Sequence, residues 1–126
     1  MSKRVLVVED QEDLRAIPRD FISASGYIVI EAADGAESVV KAASEHPDLV
    51  LMDIQLPVLD GYDATRQIKA LPGLAAIPII AVSSFAMKGD EEKARASGCD
   101  DYVTKPYSPV DLLRVVRRYL GETARR

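Results

Sequence analysis

The stretch Leu49-Val50-Leu51-Met52-Asp53-Ile54-Gln55-Leu56-Pro57 places four consecutive apolar residues directly before an acid. Short continuous apolar runs are typical of strands that are covered on both faces of a parallel sheet. A carboxylate after such a strand is costly to bury unless it is paired or lies exposed at the strand end. The stretch therefore predicts a buried strand that carries Asp53 to the edge of a sheet, where the acid becomes a candidate for chemistry.

On both sides of this stretch, apolar segments of strand length alternate with helical patterns. The predicted strands are residues 5–8, 27–30, 49–52, 77–82 and 102–104, and the predicted helices are roughly residues 12–25, 35–45, 61–71, 88–97 and 109–120. Strands that alternate regularly with helices predict helices packed on both faces of a parallel sheet. The predicted fold class is therefore α/β, a doubly wound (βα)5 sandwich in which ligands bind beyond the carboxyl ends of the strands.

The helices predicted over residues 35–45 and 109–120 have start signals and apolar faces. Asp34 and Ser108 stand at N-cap positions, where a side-chain oxygen accepts a hydrogen bond from a backbone N–H group. A capping box and a proline at the first helical position strengthen these starts, and apolar stripes at helical spacing are expected to face the core. The residues are Glu37 in the capping box, Pro109 at the first position, Ala36, Val39, Val40 and Ala43 in one stripe, and Leu112, Val116, Tyr119 and Leu120 in the other.

Pro18 breaks a local rule, because it falls well inside the predicted first helix. Leu14, Ile17 and Phe21 keep helical spacing around it, so the helix is still expected. A proline in a helix interior removes one backbone donor and crowds the carbonyl four residues earlier, which costs about 3 kcal/mol. We therefore predict a kink or loosening between Leu14 and Pro18, with the Leu14 carbonyl bonded to water or to a side chain.

Composition indicates an ordinary globular protein and argues against several classes of function. The chain has 126 residues, 48% hydrophobic and 29% charged, so we expect one domain over residues 1–126 with a core at about 3–121 and a short C-terminal tail. The net charge of −4 argues against nucleic-acid binding, which needs clustered cations. A membrane-spanning apolar run and a signal peptide are both lacking, which predicts a cytoplasmic protein. Cys99 and His46, each single, make a poor zinc set.

Chemically active side chains follow the predicted strands at their carboxyl ends. Glu9 and Asp10 follow the first strand, Asp53 the third, Ser83 the fourth and Lys105 the fifth. Three carboxylates without thiolates or a histidine cluster suit a hard cation such as Mg²⁺, which prefers oxygen ligands. Close carboxylates repel one another, so without metal at least one should be harder to ionise. A cation and Lys105 together would stabilise an incoming phosphoryl group.

Four blocks of sequence surround these residues and point to a known family. Residues 7–10, 51–57, 79–83 and 102–106 read VVED, LMDIQLP, IIAVS and YVTKP. These blocks occur in order along nearly the whole chain, and in them the sequence resembles the receiver domains of response regulators. The runs 53–57 and 85–91 are most similar to single-domain regulators of the DivK type. The resemblance implies a flavodoxin-like fold with a parallel five-stranded sheet of order 2-1-3-4-5, and a response regulator of a two-component phosphorelay.

The resemblance implies a role for each residue of the acidic cluster. Asp53 would be the phosphoacceptor. Asp10 and Asp53 would bind Mg²⁺ directly, and Mn²⁺ would be able to replace it. Gln55 would supply its backbone carbonyl to the metal, and Glu9 would act through metal-bound water.

The resemblance also implies which residues respond to phosphorylation. Ser83 would hydrogen-bond the phosphoryl group, Lys105 would pair with it, and Tyr102 would be an aromatic switch that follows the hydroxyl. The signal would reach a downstream protein through the face formed by the fourth helix, fifth strand and fifth helix. The Lys105–Pro106 bond is expected to be cis. Ser84 departs from the family pattern, which has a smaller residue there, yet it still leaves room for a phosphoryl group.

The implied partner is a sensor histidine kinase, a histidine phosphotransfer protein, or both, which donates a phosphoryl group from a phosphohistidine. Such a partner would dock at the active-site end of the first helix, so exposed Leu14, Pro18 and Pro106 are candidate contacts; an accommodated proline without a binding role is the alternative for Pro18. The chain would catalyse only its own phosphorylation and dephosphorylation. We expect a monomer or weak dimer.

Two other functions use a similar sheet. A phosphatase of the haloacid-dehalogenase kind also combines Asp, Mg²⁺, Ser or Thr and Lys, but it needs a second acid two residues after the nucleophile. Gln55 stands two residues after Asp53, and Asp10, at the end of the first strand, is followed two places on by Glu12 instead of an Asp. A flavodoxin-like cofactor binder needs a phosphate loop after the first strand, where residues 9–13 read EDQED and would repel phosphate.

Overall fold

The computed structural model describes residues 3–84 and 89–121. Within them, five strands alternate with five helices, which confirms the predicted fold class. The elements are β1 (Arg4–Val8), α1 (Glu12–Ala24), β2 (Ile28–Ala32), α2 (Gly35–Glu45), β3 (Leu49–Asp53), α3 (Gly61–Lys69), β4 (Ile79–Ser83), α4 (Asp90–Ser97), β5 (Asp101–Thr104) and α5 (Pro109–Leu120). The predicted ends are wrong by up to two residues, and the predicted first residue of α4, Lys88, lies outside the described residues.

The five strands form one parallel sheet of order β2-β1-β3-β4-β5, as predicted. The chain winds outward from β1 to β2 in one direction and from β3 through β4 to β5 in the other. The register pairs Val8 with Met52, so β1 and β3 end side by side at the point where the winding reverses. Ligands of doubly wound sheets bind beyond the carboxyl ends of strands at this point.

Alternate residues of the central strands pack into two cores, one on each face of the sheet. Leu6 and Val50 belong to the core under α2 and α3, whereas Leu49 and Leu51 belong to the core under α1 and α5. All of these side chains are buried, and burial of a side chain of this size contributes about 1.5–3 kcal/mol. The two-sided cover explains why the strands read as continuous apolar runs.

Helix α5 presents the predicted stripe to the core, since Leu112 and Val116 are buried and Tyr119 and Leu120 pack beside them. For α2 the predicted stripe is wrong. Its buried residues are Gly35, Ser38 and Ala42, Val39 is half-buried, and Val40 is 65% exposed. At the start of the helix only glycine fits, because a Cβ added to Gly35 would lie 1.9 Å from the Leu59 carbonyl oxygen.

The predicted N-caps are confirmed. Asp34 Oδ1 accepts from the Glu37 N–H at 2.7 Å, and Ser108 Oγ accepts from the Asp111 N–H at 3.0 Å. The Glu37 carboxylate accepts from the Ala33 N–H at 2.6 Å, one residue before the N-cap, and not from the Asp34 N–H that a capping box would use. These bonds satisfy backbone donors that have no partner within the helix.

Pro18 corrects one prediction, because its side chain is buried and not exposed. Helix α1 runs through it without interruption. Leu14 lies four residues before Pro18 and therefore on the same face of the helix, and both line one small cavity with Leu51 and Leu112. Leu14 remains 38% exposed, whereas the proline ring is buried deeper on that face; Ile17 is 51% exposed. A kink of the helix axis stays a prediction.

Helix α1, with 13 residues, is the longest helix in the described part of the chain. Among the helices within residues 3–84 and 89–121, none combines the length and the apolar character that crossing a membrane requires.

Candidate functional site

The carboxyl ends of β1 and β3 meet the loop after β5, and this junction collects the predicted charged side chains. Carboxylate oxygens of Glu9, Asp10 and Asp53 all lie within 4.8 Å of one another. The Lys105 Nζ donates to Glu9 Oε1 at 2.7 Å and to Asp53 Oδ2 at 3.3 Å. The structure therefore brings three acids and one lysine together at the predicted edge of the sheet.

The three acids differ in their access to solvent. Glu9 and Asp53 are 5% and 4% exposed, whereas Asp10 is exposed. A buried carboxylate needs compensating partners, and Lys105 supplies them to both buried acids at once. Asp10 is free to meet water or a dissolved ion.

The pKa values follow from this difference. Burial and the neighbouring Glu9 carboxylate raise the pKa of Asp53 to about 7. Burial acts on Glu9 in the same direction, but hydrogen bonds from Lys105 and from Asp53 outweigh it and hold the pKa of Glu9 below its usual value. Burial and Glu9 also raise the pKa of Asp10. These directions agree with the prediction that at least one carboxylate is harder to ionise, and the large rise lies at Asp53.

This donor set fits a hard divalent cation. The cluster offers carboxylate oxygens close enough to share one ion. Burial raises the pKa of Asp10 and of Asp53, and the Glu9 carboxylate raises both further, an effect of like charge that a cation would offset. Mg²⁺ favours such oxygen ligands and keeps several waters, which suits a site where one acid is exposed.

The Gln55 side chain has contacts that the sequence did not reveal. Its Nε2 donates to Ser83 Oγ at 3.1 Å, and its Oε1 accepts from the Ser84 N–H at 3.3 Å. Its backbone N–H donates to Asp53 Oδ1 at 3.0 Å. Only its backbone carbonyl was considered from the sequence, whereas the amide ties the end of β4 to the loop after β3.

The loop after β5 is held against β4. The Lys105 N–H donates to the Ser83 carbonyl at 2.7 Å, and the Lys105–Pro106 bond is cis, as predicted. Tyr102, the predicted switch residue, is half-buried in β5 and pairs in register with Ala81. The predicted switch itself is untested.

An apolar hollow of about 430 Å³ adjoins the acids, and the predicted contacts Leu14 and Pro106 line it. Ile17 and Tyr107 line it as well, but Pro18 lies beneath the helix and not in the hollow. Sequence reasoning missed Ile17 because it was read only as part of a helical stripe, and Tyr107 because nothing in its neighbourhood signals a cavity.

Comparison with known proteins identifies relatives along almost the whole chain. Residues 5–117 match the family described as "Response regulator receiver domain". The chain is 46% identical over 122 residues to the polar-differentiation response regulator DivK of Brucella ovis, covering 97% of this chain and 99% of the relative. These findings leave the phosphatase alternative without support.

Solved structures agree. The receiver domain of a Pseudomonas aeruginosa sensor histidine kinase, solved with a magnesium ion coordinated in its active-site cleft, is 37% identical with a TM-score of 0.89, covering 97% of this chain and 100% of that one. The chemotaxis protein CheY4 of Vibrio cholerae is 25% identical with a TM-score of 0.90, covering 94% and 99%. Sequence, sheet order and acidic cluster agree, and the chain belongs to the response regulator receiver domains of two-component signalling.

Proposed function

We propose that Asp53 accepts a phosphoryl group from a phosphohistidine of a histidine kinase or phosphotransfer protein. The observation that carries this proposal is a buried carboxylate at the end of β3 whose Oδ2 lies 3.3 Å from Lys105 Nζ, within a cluster of three acids. In the transfer, an Asp53 oxygen forms a bond to phosphorus as the bond from phosphorus to the imidazole nitrogen breaks. The imidazole leaves with the bonding electron pair.

Bound metal would supply positive charge opposite the phosphoryl oxygens. Asp10 and Asp53 would hold it with their carboxylates and Gln55 with its backbone carbonyl, while Glu9 would act through water. We expect Mg²⁺ to fill the site and Mn²⁺ to replace it, because both accept carboxylate, carbonyl and water oxygens.

The chain's own residues position the reaction. Phosphoryl transfer has a loose transition state, so orientation and charge contribute most of the catalysis. Lys105 neutralises charge near Asp53. Ser83, at the end of β4, is linked to the same junction because its Oγ accepts a hydrogen bond from the Gln55 side-chain amide. Asp53 must lose its proton before it attacks, which a metal ion favours. By the same means the domain would catalyse its own dephosphorylation by water.

The test is intact-mass spectrometry after incubation with acetyl phosphate. Wild type should gain the mass of one phosphoryl group with Mg²⁺ or Mn²⁺, and no mass with EDTA. The Asp53→Asn variant keeps the shape of the side chain and should gain none. Metal-dependent gain by Asp53→Asn would contradict the assignment.

The signal is proposed to leave through α4, β5 and α5. The phosphoryl group would draw Ser83 and Lys105 inward, and Tyr102 would follow, which changes this face for a downstream protein. Two states separated by a few kcal/mol are sufficient. Phosphorylation should therefore shift backbone amide resonances of α4, β5 and α5, and shifts confined to the acidic cluster would contradict the switch. A monomer or weak dimer and a cytoplasmic location stay predictions.

Docking of the phosphodonor is proposed at the hollow between α1 and the loop after β5. Leu14 and Pro106 line it together with Ile17, whereas buried Pro18 would support the helix from beneath. The Ile17→Ala variant should slow transfer from a partner's phosphohistidine but leave phosphorylation by acetyl phosphate unchanged. Val40→Ala, which truncates another exposed apolar side chain on a helix, is the control and should change neither rate. Equal slowing by both variants would contradict this site.

A further inference from the structure

Arg15 makes three different hydrogen bonds although it lies one full turn into α1. Its Nε donates to Glu31 Oε1 at 2.9 Å, its Nη2 to Glu12 Oε1 at 2.8 Å, and its Nη1 to the Glu9 backbone carbonyl at 2.7 Å. The Arg15 side chain is only 12% exposed. One guanidinium therefore joins β2, the start of α1 and the turn between β1 and α1.

The bond to the Glu9 carbonyl matters because that group lies beyond the sheet. The β1–β3 pairing ends at Val8 and Met52, and the Glu9 N–H is taken up by the Ala32 carbonyl at 3.1 Å. The Glu9 carbonyl and the Asp10 N–H belong to one rigid peptide plane. Fixing that carbonyl fixes the plane from which the Asp10 side chain starts.

We propose that Arg15 is a positioning residue for the metal site, because it sets the orientation of the Glu9–Asp10 peptide and thereby of the Asp10 carboxylate. The proposal rests on the proposed function, since it takes Asp10 as a metal ligand. Asp10 is exposed and lies at a turn outside the strand pairing, so its direction depends on its backbone. Arg15 acts through that backbone and does not itself contact the ion.

The loss of the Arg15 charge and the loss of its orienting bonds predict opposite effects on Mg²⁺ affinity, which makes the proposal testable. A positive side chain near a cation site repels the cation, so removing charge alone should leave Mg²⁺ binding equal or tighter. Removing a group that orients a metal ligand should instead weaken Mg²⁺ binding, because loss of such a partner lowers metal affinity roughly tenfold or more. Arg19 offers a matched control, since it pairs with Glu12 and Glu31 from the same helix.

The experiment is isothermal titration with Mg²⁺ of wild type, Arg15→Gln, Arg15→Lys and Arg19→Gln, each confirmed folded by circular dichroism. Arg15→Gln should raise the Kd for Mg²⁺ roughly tenfold. Arg15→Lys should raise it as well, because one ammonium group cannot reproduce the fork of the guanidinium. Arg19→Gln loses the same charge and should bind Mg²⁺ as tightly as wild type or more tightly.

A second readout needs no metal. In EDTA, the Asp10 amide resonance should shift in both Arg15 variants and stay in place in Arg19→Gln. Mg²⁺ affinity of Arg15→Gln equal to that of Arg19→Gln would overturn the proposal, and so would an unmoved Asp10 amide. If Arg15→Gln does not fold, Arg15→Lys decides by the same two criteria. Wild type that binds no Mg²⁺ would overturn the proposed metal site as well as this role.

Discussion

The two turns that carry the site's acids are built in different ways. Residues 9–11, between β1 and α1, are held from outside by the Arg15 guanidinium, and they leave Asp10 exposed. Residues 54–60, between β3 and α3, are held by backbone contact: the Ile54 N–H donates to the Val82 carbonyl at 3.0 Å, and the Gly61 N–H donates to the Ile54 carbonyl at 3.1 Å. In the first turn the Glu9 carbonyl takes its bond from a side chain, whereas in the second turn both the N–H and the carbonyl of Ile54 are bonded by main chain, beside the bonds of the Gln55 amide.

This difference matches the proposed roles of the two aspartates. A nucleophile must keep one position relative to Lys105, and the buried, main-chain-bonded end of β3 holds Asp53 there. A metal ligand must stay open to water and to the ion, and Asp10 does so. The structure therefore suggests that changes after β3 disturb folding and phosphorylation together, whereas changes after β1 act mainly on metal affinity.

The largest expected effect is a pH dependence that belongs to Asp53. Its pKa of about 7 in the folded protein exceeds the value of roughly 4 for an unfolded chain. Between these values the folded state binds more protons, so this group's contribution to stability is full below about pH 4 and is lost as the pH rises to about 7. In EDTA, the stability of Asp53→Asn relative to wild type should therefore increase on the order of 2–4 kcal/mol as the pH is raised from 4 to 8.

Urea denaturation at several pH values measures this gain. Asp10→Asn is the control, because an exposed carboxylate has less to lose on ionisation and its variant should follow the wild-type pH profile closely. A gain for Asp53→Asn that is the same at pH 4 and pH 8 would show that Asp53 is not the protonated acid.

The second-largest effect is expected for Gly61→Ala, which tests the main-chain contact behind Asp53. A Cβ added to Gly61 would lie 2.4 Å from the Asp53 carbonyl oxygen and 2.7 Å from Ile54 Cα, so the backbone would have to move. Gly61→Ala should lower the free energy of unfolding by about 1–3 kcal/mol and slow phosphorylation by acetyl phosphate.

Gly73→Ala separates close contact from backbone conformation. Gly73 has a φ of +81° with nothing within 4 Å of an added Cβ, so alanine there is strained by conformation alone and should cost about 1 kcal/mol. Its phosphorylation rate should equal that of wild type. If Gly61→Ala is no more costly than Gly73→Ala and reacts normally, the main-chain contact does not hold the turn.

Sequence alone predicted the parts of the fold that depend on periodicity. Apolar runs predicted the strands, and parallel strands that end together brought Glu9, Asp10, Asp53 and Lys105 to one edge. The inward face of α2 could not be predicted, because Gly35, Ser38 and Ala42 carry little apolar weight in a pattern, and the close approach of Gly35 to the Leu59 carbonyl is a tertiary contact.

Contacts between distant elements were also beyond the sequence. The bond from Arg15 to the Glu9 carbonyl depends on how the turn after β1 brings α1 back over the strand end, and the Gln55 amide depends on the spacing of β3 and β4. Pro18 was read from a rule about helix interiors, which says nothing about the direction its ring faces. Each of these is set by tertiary geometry and not by local spacing.

The third effect is expected at Val58, a strained residue in the turn between β3 and α3. Val58 has a φ of +69° and is 86% exposed. A β-branched residue in the left-handed region is strained by about 1–3 kcal/mol. Val58→Gly should remove that strain and, after the greater freedom of glycine in the unfolded chain is subtracted, raise stability by about 1 kcal/mol.

Val40→Gly is the matched control, since Val40 is also exposed, at 65%, but lies within α2. The same substitution there should lower stability by about 0.5–1 kcal/mol, because glycine is unfavourable in a helix. Thermal denaturation of both variants should therefore shift in opposite directions. A shared loss of stability would mean that the turn after β3 holds no strain at Val58.

The smallest expected effect on folding belongs to Asp10, in the turn that a side chain holds. Its carboxylate is exposed, so Asp10→Asn in EDTA should change the free energy of unfolding by no more than about 0.5 kcal/mol, toward higher stability because the variant no longer repels Glu9. The effect of Asp10→Asn on Mg²⁺ affinity should be large by contrast. Mg²⁺ that binds only the folded state raises wild-type stability in proportion to the logarithm of its concentration above Kd.

Asp10→Asn should lose most of that increase, while Asp13→Asn, a neighbouring acid in the first turn of α1, should keep it. Urea denaturation across a series of Mg²⁺ concentrations measures all three proteins. An Asp10→Asn protein that Mg²⁺ stabilises as strongly as wild type would remove Asp10 from the metal site. The two turns would then no longer differ in function, and the open position of Asp10 would need another explanation.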